Sequence, residues 1–269
     1  YKFQFQGCKT GLNINKIFDF IIKNQDETAR YLKSFYVRII IKANDSKLNI
    51  GYNDKNKISS DKIILSDRYY LYDPMAIKKF NIIIDSKFVQ RVCSNGVIEF
   101  LEWWKNSGLP LEYDTYALAF ASTYGHVNVL EWWKNSGLFL KYDRMSLDWA
   151  SEKGQVKVLE WWKNSGLELK YDKYVMDNTS YDGHVSVLEW WKNSGLPFEY
   201  TRSALRNAFN NGHVSVLEWW KNSGLTLKYD YEEIKDTLYM VDNMTSIGSR
   251  ENYVKVLEWW ENSGLLKNL

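Results

Sequence analysis

The sequence predicts a mainly α-helical solenoid of about six helix-pair repeats, preceded by a small α+β N-terminal cap. Three observations point there. The string Leu-Glu-Trp-Trp occurs six times, its first Trp at Trp103, Trp132, Trp161, Trp190, Trp219 and Trp259. Four of the five intervals are 29 residues and the last is 40. Apolar residues within each repeat fall at helical rather than strand spacing. Twelve of the 13 Trp belong to these pairs, and only Trp149 stands outside them. A period of this size marks an array whose units are too small to bury a core alone and do so by stacking.

The repeat domain covers 85–269, with units opening at Asp85, Asp114, Asp143, Asp172, Thr201 and Asp230. An 11-residue insertion within 231–251 lengthens the last one. The opening Asp or Thr is expected to N-cap a first helix, its side-chain oxygen taking a free backbone N–H. Asp230 and Glu233 have capping-box spacing. Apolar residues stand at the third, fourth, seventh and eighth positions past the cap, such as Ala117, Leu118, Ala121 and Ser122, or Ala204, Leu205, Ala208 and Phe209. Gly96, Gly125, Gly154, Gly183 and Gly212 follow, where a left-handed residue ends a helix. Asn252 takes that place in the sixth unit. The second helix is nearly uniform, as in Val127 to Asn135, with Val129, Leu130, Trp132 and Trp133 on one broad arc and Asn-Ser-Gly closing it. Leu138 to Tyr142 alternates like a short extended segment.

The wording Ala121-Ser-Thr-Tyr-Gly125-His126-Val-Asn-Val129-Leu130, closed by Asn135-Ser-Gly137, resembles the ankyrin pattern. The period is shorter than that of an ankyrin repeat, and the missing residues fall where the family places its β-hairpin. The resemblance therefore implies hairpins shortened to loops, with a plain helix-pair solenoid as the alternative. Leu-Glu-Trp-Trp-Lys-Asn-Ser-Gly-Leu blocks are more closely similar to the ankyrin-like repeat proteins of giant viruses of the mimivirus type. Residues 60–74 look like the leader of those proteins. The resemblance implies binding to another protein, host or viral, in the host cytoplasm or in the virion.

The region 1–84 holds 15 Lys and Arg against 8 Asp and Glu. Ile14 to Ile22 has helical spacing, and Tyr36 to Ile41 is strand-like. Lys62 to Leu65 and Tyr69 to Tyr72 read as strands on either side of a Ser-Asp-Arg turn, after a polar loop from Asn53 to Ser60. The basic residues are scattered singly among acids, so a nucleic-acid partner is not expected. The whole chain carries a net charge of only +2. Its longest apolar runs span a few residues, so no membrane span or secretory signal is expected. Two cysteines, Cys8 and Cys93, fit neither a disulfide framework nor a four-thiolate metal site.

Chemistry is sparse. His126, His184 and His213 share one repeat position with Val97, Gln155 and Tyr253, which argues for backbone bonding between units rather than a metal ladder. Glu131 and Lys134, repeated in other units, read as weak i, i+3 ion pairs on a solvated face. No nucleophile elbow, phosphate loop or metal-binding signature is present, so the chain reads as non-enzymatic and without cofactors.

A repeat array allows its own units to be compared. Positions alike in every unit serve the stack, and exposed positions that vary are free to suit a partner. Positions two, five and six past the cap vary most. In an ankyrin stack they lie on the concave side with the first helices. Tyr116, Phe120, Met145, Asp148, Trp149, Tyr174, Asp177 and Arg206 are therefore the expected partner-binding residues, with Trp149 foremost. The alternative reading is self-association or assembly into a particle or larger complex, and a third makes residues 1–59 an adaptor segment.

Overall fold

A computed structural model describes residues 36–37, 40–42, 48–50, 58–60, 63–65, 69–80, 82–230 and 247–265. The expected helix at Ile14 to Ile22, the capping box of Asp230, and the insertion up to residue 246 lie outside them. The chain divides into two compact units, Tyr1–Asp114 and Thr115–Leu269.

In the first unit, β1 (Tyr36–Val37), β2 (Ile40–Lys42) and β3 (Leu48–Ile50) face β4 (Ile58–Ser60), β5 (Ile63–Leu65) and β6 (Tyr69–Tyr70). The pairs are nested and antiparallel: β1 with β6, β2 with β5, β3 with β4. The strands expected at 62–65 and 69–72 therefore form in part, but each pairs with the segment before residue 51 instead of with the other. Part of the expected polar loop is β4 itself. Helix α1 (Pro74–Phe80) follows, then α2 (Ser86–Asn95) and α3 (Ile98–Asn106). Asp85 caps α2 as expected, its Oδ1 accepting from Phe88 N at 2.8 Å. Tyr72 packs edge-on against Phe88 and Phe100, and burial pushes its hydroxyl up to about 12. Cys93 is fully buried, as its apolar position predicts.

The second unit carries four helix pairs and one long helix among its described residues. The first helices are α4 (Tyr116–Thr123), α6 (Met145–Glu152), α8 (Val175–Asp182) and α10 (Ser203–Asn210). The second helices are α5 (Val127–Asn135), α7 (Val156–Asn164), α9 (Val185–Asn193) and α11 (Val214–Asn222), followed by α12 (Ile247–Ser263). First helices pack on first helices and second on second, repeat by repeat. The loops between pairs contain no strand, so the short extended segment expected at 138–142 is irregular chain. Asn252 does not end a helix; it lies inside α12.

The caps also shift. Asp143 stands two residues and Asp172 three residues before the first helical residue, and their Oδ1 atoms accept from Met145 N at 3.0 Å and Tyr174 N at 2.9 Å. Thr201 does the same for Ser203 N at 3.0 Å. Each forms a local turn that starts the helix rather than an N-cap.

The third, fourth, seventh and eighth positions are buried in every described first helix. Ser122, Ser151 and Ser180 occupy the eighth. Each accepts the buried indole N–H of the second Trp of the next repeat: Trp162 at 3.0 Å, Trp191 at 3.0 Å and Trp220 at 2.9 Å. The first Trp of each pair is half-buried and donates elsewhere. Trp161, Trp190, Trp219 and Trp259 bond to Glu131, Glu160, Glu189 and Glu218 of the preceding repeat at 2.7, 2.8, 2.6 and 2.6 Å. The second oxygens of Glu131, Glu160, Glu189 and Glu218 take the amides of Asn135, Asn164, Asn193 and Asn222. Both bonds hold these carboxyls below their ordinary pKa, the Trp bond contributing most. The i, i+3 ion pairs are therefore corrected: the glutamates spend their oxygens on the stack, and the lysine adds only a weaker charge attraction.

The histidine position serves the backbone. His213 Nε2 lies 2.9 Å from the Tyr181 carbonyl, and Gln155 donates to the Thr123 carbonyl at 3.1 Å. The rings also explain two glycines. A Cβ on Gly154 or Gly183 would meet His184 or His213 Nδ1 at 2.9 or 2.7 Å, and both glycines are left-handed.

Removing a serine acceptor leaves a buried indole N–H unpaired. Ser151→Ala is expected to cost about 1–3 kcal/mol, read as a lower urea midpoint. Ser186→Ala, on the outer face of α9, is expected to leave the midpoint unchanged.

Candidate partner-binding face

The first helices present one continuous side in the second unit, and the eight expected residues divide on it into two groups. Tyr116, Phe120 and Trp149 come together. Their ring centroids are 6.0 Å apart for Tyr116–Phe120, 5.8 Å for Tyr116–Trp149 and 5.7 Å for Phe120–Trp149. Tyr124, one turn past Phe120, extends the cluster at 6.4 Å and is half exposed. The register explains this. Position two and position six of α4 are one turn apart, and position six of α6 lies beside them in the next repeat. Tyr116 stays 39% exposed, while Phe120 and Trp149 are partly covered by the cluster itself. Met145 is half-buried at the start of α6. Tyr174 is 37% exposed one repeat further on, with Lys173 Nζ 5.0 Å from its ring centre.

Asp148 and Asp177 are corrections. Both are buried, because position five faces the loop of the following repeat. Asp148 Oδ1 accepts from Asp172 N at 2.8 Å. Asp177 accepts from Thr201 N at 2.9 Å and from its hydroxyl at 2.7 Å. In the first unit Gln90 bonds Asp114 through the same spacing of 24 residues. These side chains tie each first helix to the next turn and are not open to a partner. Arg206, at the same position, is half-buried, and its guanidinium donates to Ser203 Oγ at 3.1 Å.

Burial pushes the Asp148 carboxyl up to about 6, against the pull of the Asp172 N–H and of Arg144, whose Nε lies 3.9 Å away. Asp177 is raised for the same first reason. Sequence reasoning also passed over Tyr181 and Phe139. Tyr181 is exposed on the same helices, and Phe139 is 79% exposed in a loop between repeats. The available signal was an aromatic ring where other units carry polar residues, as Ser94, Thr123, Glu152 and Asn210 do at the position of Tyr181, or proline, Glu or Thr at that of Phe139.

Among the described residues, no three His, Cys, Asp or Glu come together to hold a metal ion, and no helix is long and apolar enough to cross a membrane. The chain matches no protein family and no curated protein.

A carboxyl raised by burial weakens the fold as it ionises. With a folded value near 6 and an ordinary value of about 4, Asp148 favours folding most below pH 4 and loses that contribution as pH rises through 6. Asp148→Asn keeps an oxygen for the Asp172 N–H and removes the charge. The stability difference between variant and parent should move by about 2–3 kcal/mol towards the variant from pH 4 to pH 7.5. Urea titrations at the two pH values measure it, and a pH-independent difference would refute the assignment.

Proposed function

We propose that the chain is a non-catalytic protein-binding module, an ankyrin-type solenoid that holds its partner on the face of its first helices. The observation that carries this reading is the cluster of Tyr116, Phe120, Tyr124 and Trp149. These rings stand at positions the repeat leaves variable, and they keep exposed surface although every neighbouring apolar position is buried. Aromatic anchors of this kind dominate the energetics of protein interfaces. The helical architecture, the stacked pairs and the uniform second helix support the solenoid. The ankyrin-like wording of the repeats makes a host or viral protein the expected partner, met in the host cytoplasm or in the virion.

A second reading is self-association or assembly into a particle or larger complex. Light scattering behind size exclusion separates the readings, because a monomer at micromolar concentration opposes self-assembly.

The binding reading is tested with the full chain as bait. A Tyr116→Ala/Trp149→Ala/Tyr174→Ala variant with a native circular-dichroism spectrum should lose, by about tenfold or more, a partner that the parent captures from host lysate. Equal capture by both would remove the first-helix face from the function.

A further inference from the structure

We infer that this face recognises a cationic side chain, an arginine above all, carried on a linear segment of the partner protein, with Tyr116, Phe120 and Trp149 as its stacking surface and Glu152 as its counter-charge. The inference deepens the protein-binding reading above and rests on it.

The ring triangle is the first support. Its interplanar angles are 31°, 36° and 46°. No ring there lays its edge squarely on another's face, as Trp161 and Trp162 do at 82°. Aromatic faces carry the negative lobe of the ring quadrupole, and a cation above them is attracted.

Glu152 is the second. It lies three residues after Trp149 on α6, on the same side of the helix. It is half-buried, and among the described residues it makes no hydrogen bond or ion pair. Burial raises its pKa first, and the nearby Asp182 raises it further. Lys153 is held towards Asp182, with Nζ 4.0 Å from its Oδ1.

The third is the indole N–H of Trp149. Trp161, Trp190, Trp219 and Trp259 spend theirs on glutamates, and Trp162, Trp191 and Trp220 on serines. Trp149 has no acceptor among the described residues and is only half-buried.

One ligand group uses all three features. A guanidinium stacks flat over rings, donates two N–H groups to a carboxylate, and brings a peptide carbonyl within reach of the indole. An anionic ligand would meet Glu152 as a like charge. A purely apolar one would strip water from Glu152 and return nothing.

The probe is a dye-labelled hexa-arginine peptide, its binding to the full chain read by fluorescence anisotropy at 0.1 M salt. Trp149→Ala and Glu152→Gln should each weaken binding about fivefold or more. Glu168→Gln removes one exposed charge from a loop pair with Lys170, 3.6 Å away, and should change nothing. Glu152→Gln is nearly isosteric at a half-buried site and keeps the test valid if Trp149→Ala misfolds. Equal weakening by Glu168→Gln, or none by Glu152→Gln, would overturn the inference. If the triple alanine variant still loses its partner in that event, the binding face stands and only its cation chemistry falls.

Discussion

The Leu-Glu-Trp-Trp blocks at Trp161, Trp190 and Trp219 each bring two indole N–H groups to the packed second helices, and the block's own repeat accepts neither. This constraint organises the second unit. Both acceptors come from the preceding repeat: a glutamate on its second helix for the first Trp, and a serine on its first helix for the second Trp. An unpaired buried donor costs far more than a hydrogen bond returns, so a repeat out of register would strand the buried N–H of its second Trp. The rings supply apolar area, and the N–H groups supply register. The last described repeat shows what happens when one link is missing. Phe209 stands where the serine would be, and Trp260 Nε1 is buried without an acceptor among the described residues, its ring facing Phe209 at 6.5 Å. Trp259 keeps its glutamate across the insertion.

Much of this was legible in the sequence. The period, the span of Val127 to Asn135, the four buried positions of each first helix and the turn glycines all follow from spacing, because burial in a repeat stack is strictly periodic. The roles of Glu131 and its equivalents were not legible. A helical wheel shows one helix at a time, and on one helix the nearest opposite charge to Glu131 is Lys134. The better partner, Trp161, is 30 residues away and reaches Glu131 only once the repeats are stacked. The strands of the first unit failed for a related reason. A short polar turn between two apolar stretches predicts a local hairpin, whereas the observed pairing joins β1 to β6 across the whole segment.

Asp148 and Asp177 show where comparing repeats has to be refined. Position five varies as Gln90, Asp148 and Asp177, and variation was read as freedom. The residue 24 positions later varies with it, as Asp114, Asp172 and Thr201, and each pair is hydrogen-bonded. Two positions that change in step serve the stack as surely as two that never change. Asn207 at position six belongs to the same class, because its amide donates to the Asp177 carbonyl.

That refinement sharpens the case for Trp149. It also occupies position six and touches the previous repeat, through Tyr116 and Phe120, so contact alone would make it one more stacking residue. Two features separate it. Its polar atom is not consumed, unlike the amide of Asn207 at the same position two repeats on. The carboxylate one turn on, Glu152, is likewise unspent. On the first helices Ser122, Asp148, Asp177 and Asn207 all bond to a neighbouring repeat. A site where apolar contact is complete and polar capacity is left over is arranged for something other than the stack, and the charge of Glu152 gives the sign of what it would hold.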